Sequence, residues 1–123
     1  MQLEPYGASR AVLEGDDVVL APHAVQPLAL FIHELAVNAA THGALCRDEG
    51  RVEVTWKTDP QTKLLTLTWK EKGGSPPASA RRSGFGTVIA DTAIRRQLNG
   101  SVERQWPDQG VLIKVELPNA TTA

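Results

Sequence analysis

The sequence predicts a two-layer α/β sandwich: a mixed, mostly antiparallel sheet covered on one face by helices. Three observations lead there. Short β-prone runs alternate apolar and polar side chains, as over residues 51–56, which is the pattern of a half-buried strand. Two longer segments, 28–39 and 88–98, repeat apolar residues at helical spacing. The order of these runs, β β α β β loop α β β, sets strands in neighbouring pairs and segregates the helices to one face.

Residues 1–8 read as a leader. Ala11-Val12-Leu13-Glu14 and Val18-Val19-Leu20 are β-prone runs around Gly15-Asp16-Asp17, which predicts a hairpin. Pro22 suits the first turn of a helix. Pro27 lacks a backbone donor, so it either starts the regular helix or kinks it. Leu28, Phe31, Ile32, Leu35 and Ala39 form the apolar stripe, and Gly43 is the expected cap. Residues 46–50 form a polar connector. Residues 51–56 and 63–69 are strands joined by a turn at Asp59-Pro60-Gln61, which pair antiparallel. Residues 73–83, rich in Gly, Pro, Ser and Ala with Arg81 and Arg82, form a weakly basic loop. Gly84-Phe85-Gly86 opens the second helix, and Asn99-Gly100 stops it. Residues 101–106 and 111–117 close the domain as a hairpin around Pro107–Gly110, followed by a small polar tail. Trp56, Trp69 and Trp106 fall at strand ends, where core and rim packing accounts for Trp56 and Trp106.

The length of 123 residues bounds the chain to one domain, which buries roughly two thirds of its unfolded surface. A net charge of −1 offers no electrostatic case for nucleic acid or an anionic membrane. The lone Cys46 excludes an internal disulfide and fits a reducing compartment. No basic leader precedes an apolar segment, so a cytoplasmic location is expected. The uncharged run 18–32 is short for a membrane span and holds Pro22, His23, Gln26 and Pro27. The match Asn119-Ala120-Thr121 to a glycosylation sequon is therefore chance.

Chemistry concentrates in three places. Glu34 and Asn38 are four apart and stack on one helix face, with Thr41 and His42 one turn further. A carboxylate above a carboxamide beside an apolar stripe suits a metal or phosphate site, although a solvated helix face has the same pattern. In Trp69-Lys70-Glu71-Lys72-Gly73-Gly74 a strand delivers a carboxylate, and glycines that let backbone approach a ligand follow at once. Such a carboxylate can accept a hydrogen bond from an exocyclic amine like that of adenine. In Gly84-Phe85-Gly86-Thr87 a glycine-rich turn presents free N–H groups at a helix start, an anion site to which the Thr87 hydroxyl and Arg81 or Arg82 would add. It is neither a Rossmann turn nor a Walker A loop, because no strand precedes it and no Gly-Lys-Ser/Thr follows. His23, His33, His42 and Cys46 lack zinc-finger spacing, and no Gly-x-Ser-x-Gly elbow is present.

Taken together, in order and with a short lid between them, these motifs resemble the catalytic, ATP-binding domain of bacterial sensor histidine kinases of the HWE group. That group is named for a helix His and a Trp-x-Glu motif, here His33 in His-Glu-Leu-Ala-Val-Asn-Ala-Ala and Trp69-Lys70-Glu71. The resemblance runs from about Leu3 to Pro118 and includes the Gly-Phe-Gly helix start, the Arg-Gln-Leu-Asn-Gly helix end and the final hairpin. It implies the Bergerat (GHKL) ATP-binding sandwich over 9–118, with 1–8 as a leader from an upstream region and 119–123 as a tail. It implies that Asn38 coordinates Mg²⁺ on the phosphates and that Glu71 reads the adenine amine, where the superfamily usually has an Asp. Gly73 and Gly74 would admit the base, and Gly84, Phe85, Gly86, Thr87 and Arg82 would close over the phosphates. Glu34 matches the carboxylate that is a general base in related ATPases; in a kinase it would orient or deprotonate the acceptor imidazole, and His33 would support the site or the helix packing.

The implied reaction is transfer of the ATP γ-phosphoryl to a histidine on a separate dimerisation domain, in two-component signalling with a downstream response regulator. The implied domain is a cytoplasmic monomer with no nucleic-acid or membrane contact. Two departures stand out. Relatives often have Lys and an aromatic residue after Asn-Ala-Ala, where this chain has Thr41-His42, and no phosphoacceptor segment is present. The chain is expected to be a fragment or a lone module. Two alternatives share the fold: a regulatory nucleotide-binding module without kinase activity, and a serine kinase of the anti-sigma-factor type.

Overall fold

The computed structural model describes residues 11–41, 50–73, 85–107 and 110–122. Along the chain run β1 (Ala11–Gly15), α1 (Pro22–Thr41), β2 (Arg51–Thr58), β3 (Leu65–Lys72), α2 (Phe85–Gln97), β4 (Ser101–Gln105) and β5 (Val111–Leu117). The strands form one five-stranded sheet in the order β1-β2-β3-β5-β4. β1 runs parallel to β2, and every other pairing is antiparallel.

The alternation along β3 and β5 fixes which face is buried. Leu65, Leu67, Trp69 and Glu71 point to one side of β3; Val111, Ile113, Val115 and Leu117 do the same on β5. Leu28, Phe31, Leu35 and Ala39 of α1 and Ala90 and Ile94 of α2 meet them in a single core. The opposite sheet face carries Thr55, Lys57, Thr66, Thr68, Lys70 and Lys114, so it stays solvated. This is the expected two-layer sandwich. Trp69 is fully buried in its centre, while Trp56 and Trp106 pack against the rim.

The expected N-terminal hairpin does not form. The Glu-Gly-Asp-Asp run ends β1 rather than turning it, because Asp16 is spent on β2. Its N–H reaches the Trp56 carbonyl at 3.4 Å, its own carbonyl accepts the Trp56 indole N–H at 2.8 Å, and its carboxylate accepts the Thr58 N–H at 3.0 Å. Residues 18–20 belong to no strand, and among the described residues the element order is β α β β α β β. Leu20 instead bridges Thr121. The Ala21 N–H bonds the Ala120 carbonyl at 2.8 Å, and the Thr122 N–H bonds the Val19 carbonyl at 3.0 Å. The segment expected as a tail thus packs on the start of α1, with Ala120 fully buried.

Helix α1 begins at Pro22, where a missing N–H costs nothing, and Ala24 bonds back to the Ala21 carbonyl. Pro27 therefore lies inside the helix with its ring buried, and does not start it. Gly43, the expected cap, lies outside the described residues. Strand β3 runs on to Lys72 instead of stopping at Trp69, so Glu71 is a ladder residue between Val52 and Val111. Helix α2 stops where expected: Asn99 turns left-handed (φ 52°), and the Gly100 N–H returns to the Ile94 carbonyl at 3.0 Å.

Candidate nucleotide site

Glu34 and Asn38 leave α1 beside its buried stripe and are each half-buried. The first turn of α2 crosses them there. The Thr87 hydroxyl, buried at 7% exposure, donates to Glu34 Oε2 at 3.2 Å and accepts the Asn38 amide Nδ2–H at 3.3 Å. Gly86 allows this approach: a Cβ there would stand 2.5 Å from Glu34 Oε1. The Glu34 carboxylate thus rests on the first turn of α2, the end of a helix that favours negative charge.

A second cluster faces the helices from the sheet. Glu71 and Trp69 are two apart on β3, so both point inward. Glu71 is 6% exposed, and a buried carboxylate is costly without donors. The Trp69 indole Nε1–H supplies one, to Glu71 Oε2 at 2.8 Å. Gly73, next after Lys72 at the end of β3, has φ 72°, a left-handed conformation that suits glycine. Gly110, in the β4–β5 turn, lies on the back of this strand end. A Cβ at Gly110 would fall 2.1 Å from the Glu71 carbonyl oxygen, so any side chain there would push on the backbone that presents Glu71.

The chain thus brings Glu34, Asn38, Gly86 and Thr87 into one polar knot, and Trp69 and Glu71 into another on the facing layer. His33 stands apart on the exposed side of α1. Thr41 donates its hydroxyl to the Val37 carbonyl at 2.6 Å. Gly74, Arg81, Arg82 and Gly84 lie outside the described residues, and Phe85 is placed by its backbone as the first residue of α2.

The sequence is 43% identical over 119 residues to the blue-light-activated histidine kinase of Rhizobium johnstonii, a match that covers 97% of this chain and 34% of the relative. The histidine kinase domain of the Erythrobacter litoralis EL346 blue-light activated histidine kinase superposes with a TM-score of 0.73 at 17% identity, over 94% of this chain and 54% of that one. The catalytic domain of histidine kinase ThkA superposes with a TM-score of 0.66 at 18% identity, over 89% of this chain and 78% of that one. The chain is thus similar in sequence to one segment of blue-light-activated histidine kinases and shares the fold of histidine kinase catalytic domains. It spans about a third of the length of the curated relatives it matches. No family model matches the sequence.

The domain holds one further polar contact that the motifs did not reveal. Arg104 on β4 grips Asp91 on α2 through two hydrogen bonds, 2.5 and 2.9 Å long, with both side chains mostly buried. A signal for it was present. Val102, Arg104 and Trp106 alternate inward, and an inward arginine needs a carboxylate partner. Asp91 is one helical turn beyond Thr87 on the same face of α2, so the pair ties to the sheet the helix that closes on Glu34 and Asn38.

Proposed function

We propose that this chain is the ATP-binding catalytic domain of an HWE-type sensor histidine kinase. It transfers the γ-phosphoryl of ATP to a histidine on a separate dimerisation domain, and a response regulator receives the phosphoryl group from there. The observation that carries the proposal is the Glu34–Thr87–Asn38 knot on the helical layer, together with a carboxylate held by Trp69 on the inner face of the sheet. An acidic group, a carboxamide and a helix start on one side, with a buried hydrogen-bond acceptor on the other, match the two ends of a nucleotide.

Glu71 would accept the adenine amine, and Gly73 and Gly74 would let the base approach the strand end. The first turn of α2, with Gly84, Phe85, Gly86 and Arg82, would lie against the phosphates. The donor set suits Mg²⁺, a hard cation that takes oxygen ligands. Thr87 engages the nitrogen end of the Asn38 amide, and the carbonyl Oδ1 would hold the ion. Bound Mg²⁺ would neutralise phosphate charge.

In the transfer, the acceptor imidazole nitrogen forms a bond to the γ-phosphorus as the bond from that phosphorus to the bridging oxygen breaks. ADP leaves with that electron pair, and Glu34 orients the imidazole or takes its proton. His33, exposed one position before Glu34, would support the site from its solvent side.

Mixing the domain with its acceptor domain and labelled ATP tests this. Acid-labile phosphate on the acceptor is expected; acid-stable phosphate would indicate a serine kinase instead. Thr41 favours a second reading, a regulatory module that binds nucleotide without transferring phosphate, because its hydroxyl is turned to Val37 where a lysine would reach phosphate. ATP binding without phosphohistidine, under conditions where a reference kinase works, would select it.

A further inference from the structure

We propose that Thr87 is a positioning residue of this site: its hydroxyl decides which atom of Asn38 faces the metal and holds the Glu34 carboxylate against α2. The proposal rests on the nucleotide-site reading above and assigns Thr87 a task other than contact with phosphate.

The argument is one of hydrogen-bond polarity. A hydroxyl has one proton to donate, and an ionised carboxylate can only accept. Glu34 Oε2, 3.2 Å from Thr87 Oγ1, therefore takes that proton. What remains on Oγ1 is acceptor capacity, so Asn38 must approach with its NH₂ group, at 3.3 Å. The amide is planar and two-ended. With nitrogen committed to Thr87, oxygen is the end left to a cation, and nitrogen is not a cation ligand. The Glu34 carboxylate thus sets the orientation of Asn38 through a single hydroxyl. Thr87 is buried, so water competes poorly for this proton, and Gly86 next to it leaves room for the carboxylate.

The test uses the chain as it stands and measures ATP affinity with and without Mg²⁺. In the parent chain Mg²⁺ is expected to tighten ATP binding. Thr87→Val, which keeps the shape and removes the hydroxyl, is expected to lower the Mg²⁺-dependent gain by about 3- to 10-fold, the effect of one lost hydrogen bond. Any loss of ATP affinity in EDTA should be smaller than the loss with Mg²⁺, and Thr87→Ser should restore the gain. In an Asn38→Ala background, Thr87→Val should change Mg²⁺·ATP affinity by less than about 2-fold, because residues acting as a unit are non-additive. If Thr87→Val does not fold, Thr87→Ala carries the same comparison. A full Mg²⁺ gain in the hydroxyl-free variants overturns the proposal, as does equal loss with and without Mg²⁺, or failure of Thr87→Ser to restore the gain. Absence of any ATP binding by the parent chain overturns the nucleotide-site reading itself, which sets that failure apart from the others.

Discussion

Trp69 fills the centre of the core and, from the same ring, holds the carboxylate of Glu71 at 2.8 Å. One side chain therefore does two jobs, a packing job through its faces and a polar one through Nε1. The spacing of two along a strand makes this possible, since neighbours on one face of the pleat are separated by a single intervening residue. The glutamate side chain is long enough to reach back to the indole. Replacing Glu71 with Ala is expected to weaken ATP binding more than GTP binding, measured by competition against a labelled nucleotide. Equal loss of both would remove Glu71 from base reading. Trp69→Phe should move the same ratio in the same direction, together with a lower melting temperature from the lost volume.

Asn38→Ala is expected to abolish the Mg²⁺-dependent part of nucleotide stabilisation in a thermal melt. Ligand that binds the native state raises the melting temperature by mass action, so the readout follows site occupancy directly. A melting shift that persists with Mg²⁺·ATP at the parent value would take Asn38 off the metal.

Gly86→Ala separates stability from chemistry. The added Cβ meets the end of the flexible Glu34 side chain, not backbone, so the carboxylate can swing aside. The stability cost should stay under about 1 kcal/mol by urea unfolding, at the low end for overpacking. Phosphotransfer should fall by about tenfold or more, because displacing a positioned base by an ångström is enough to slow a reaction. A variant that transfers phosphate at the parent rate would mean that the carboxylate position is immaterial.

The Arg104–Asp91 pair is mostly out of water, at 20% and 10% exposure. Arg104→Ala leaves a carboxylate without its partner and should cost about 1–3 kcal/mol in urea unfolding. The double variant Arg104→Ala/Asp91→Ala should be more stable than Arg104→Ala alone. Simple additivity of the two losses would show that the pair is not coupled.

Asp59 supplies a pH dependence. Its carboxylate accepts the N–H groups of Gln61 and Thr62, at 2.8 and 3.2 Å, which hold its pKa below the ordinary 3.8. The stability this lends is complete above that ordinary value and is lost as pH falls through the lower, folded value. Urea midpoints of the parent chain and Asp59→Asn should therefore differ at neutral pH and converge in acid. A gap unchanged across that range would assign the effect to turn geometry and not to ionisation.

What could be read in advance followed from helical period: four residues along a helix put Glu34 and Asn38 together, a local relation found in the fold. The pairing of Trp69 with Glu71 was not legible in this way, because the apolar alternation stops at Trp69 while the ladder carries β3 on to Lys72. The N-terminal hairpin failed for a long-range reason. Gly15-Asp16-Asp17 has the local chemistry of a turn, yet β1 finds a better partner in β2, far along the chain and parallel. The contact between Thr87 and Glu34, like that between Arg104 and Asp91, joins elements whose approach depends on the assembled core.

The strap formed by residues 120–122 across residues 19–21 has a consequence for how the domain comes into being. A ribosome delivers the strap about a hundred residues after the start of α1, so this is a long-range closure that is slow to form. The nascent chain carries Glu34 and Asn38 well before the strap secures the foot of their helix. The helix should therefore gain its final stability only when Ala120 has left the exit tunnel and taken its place in the core.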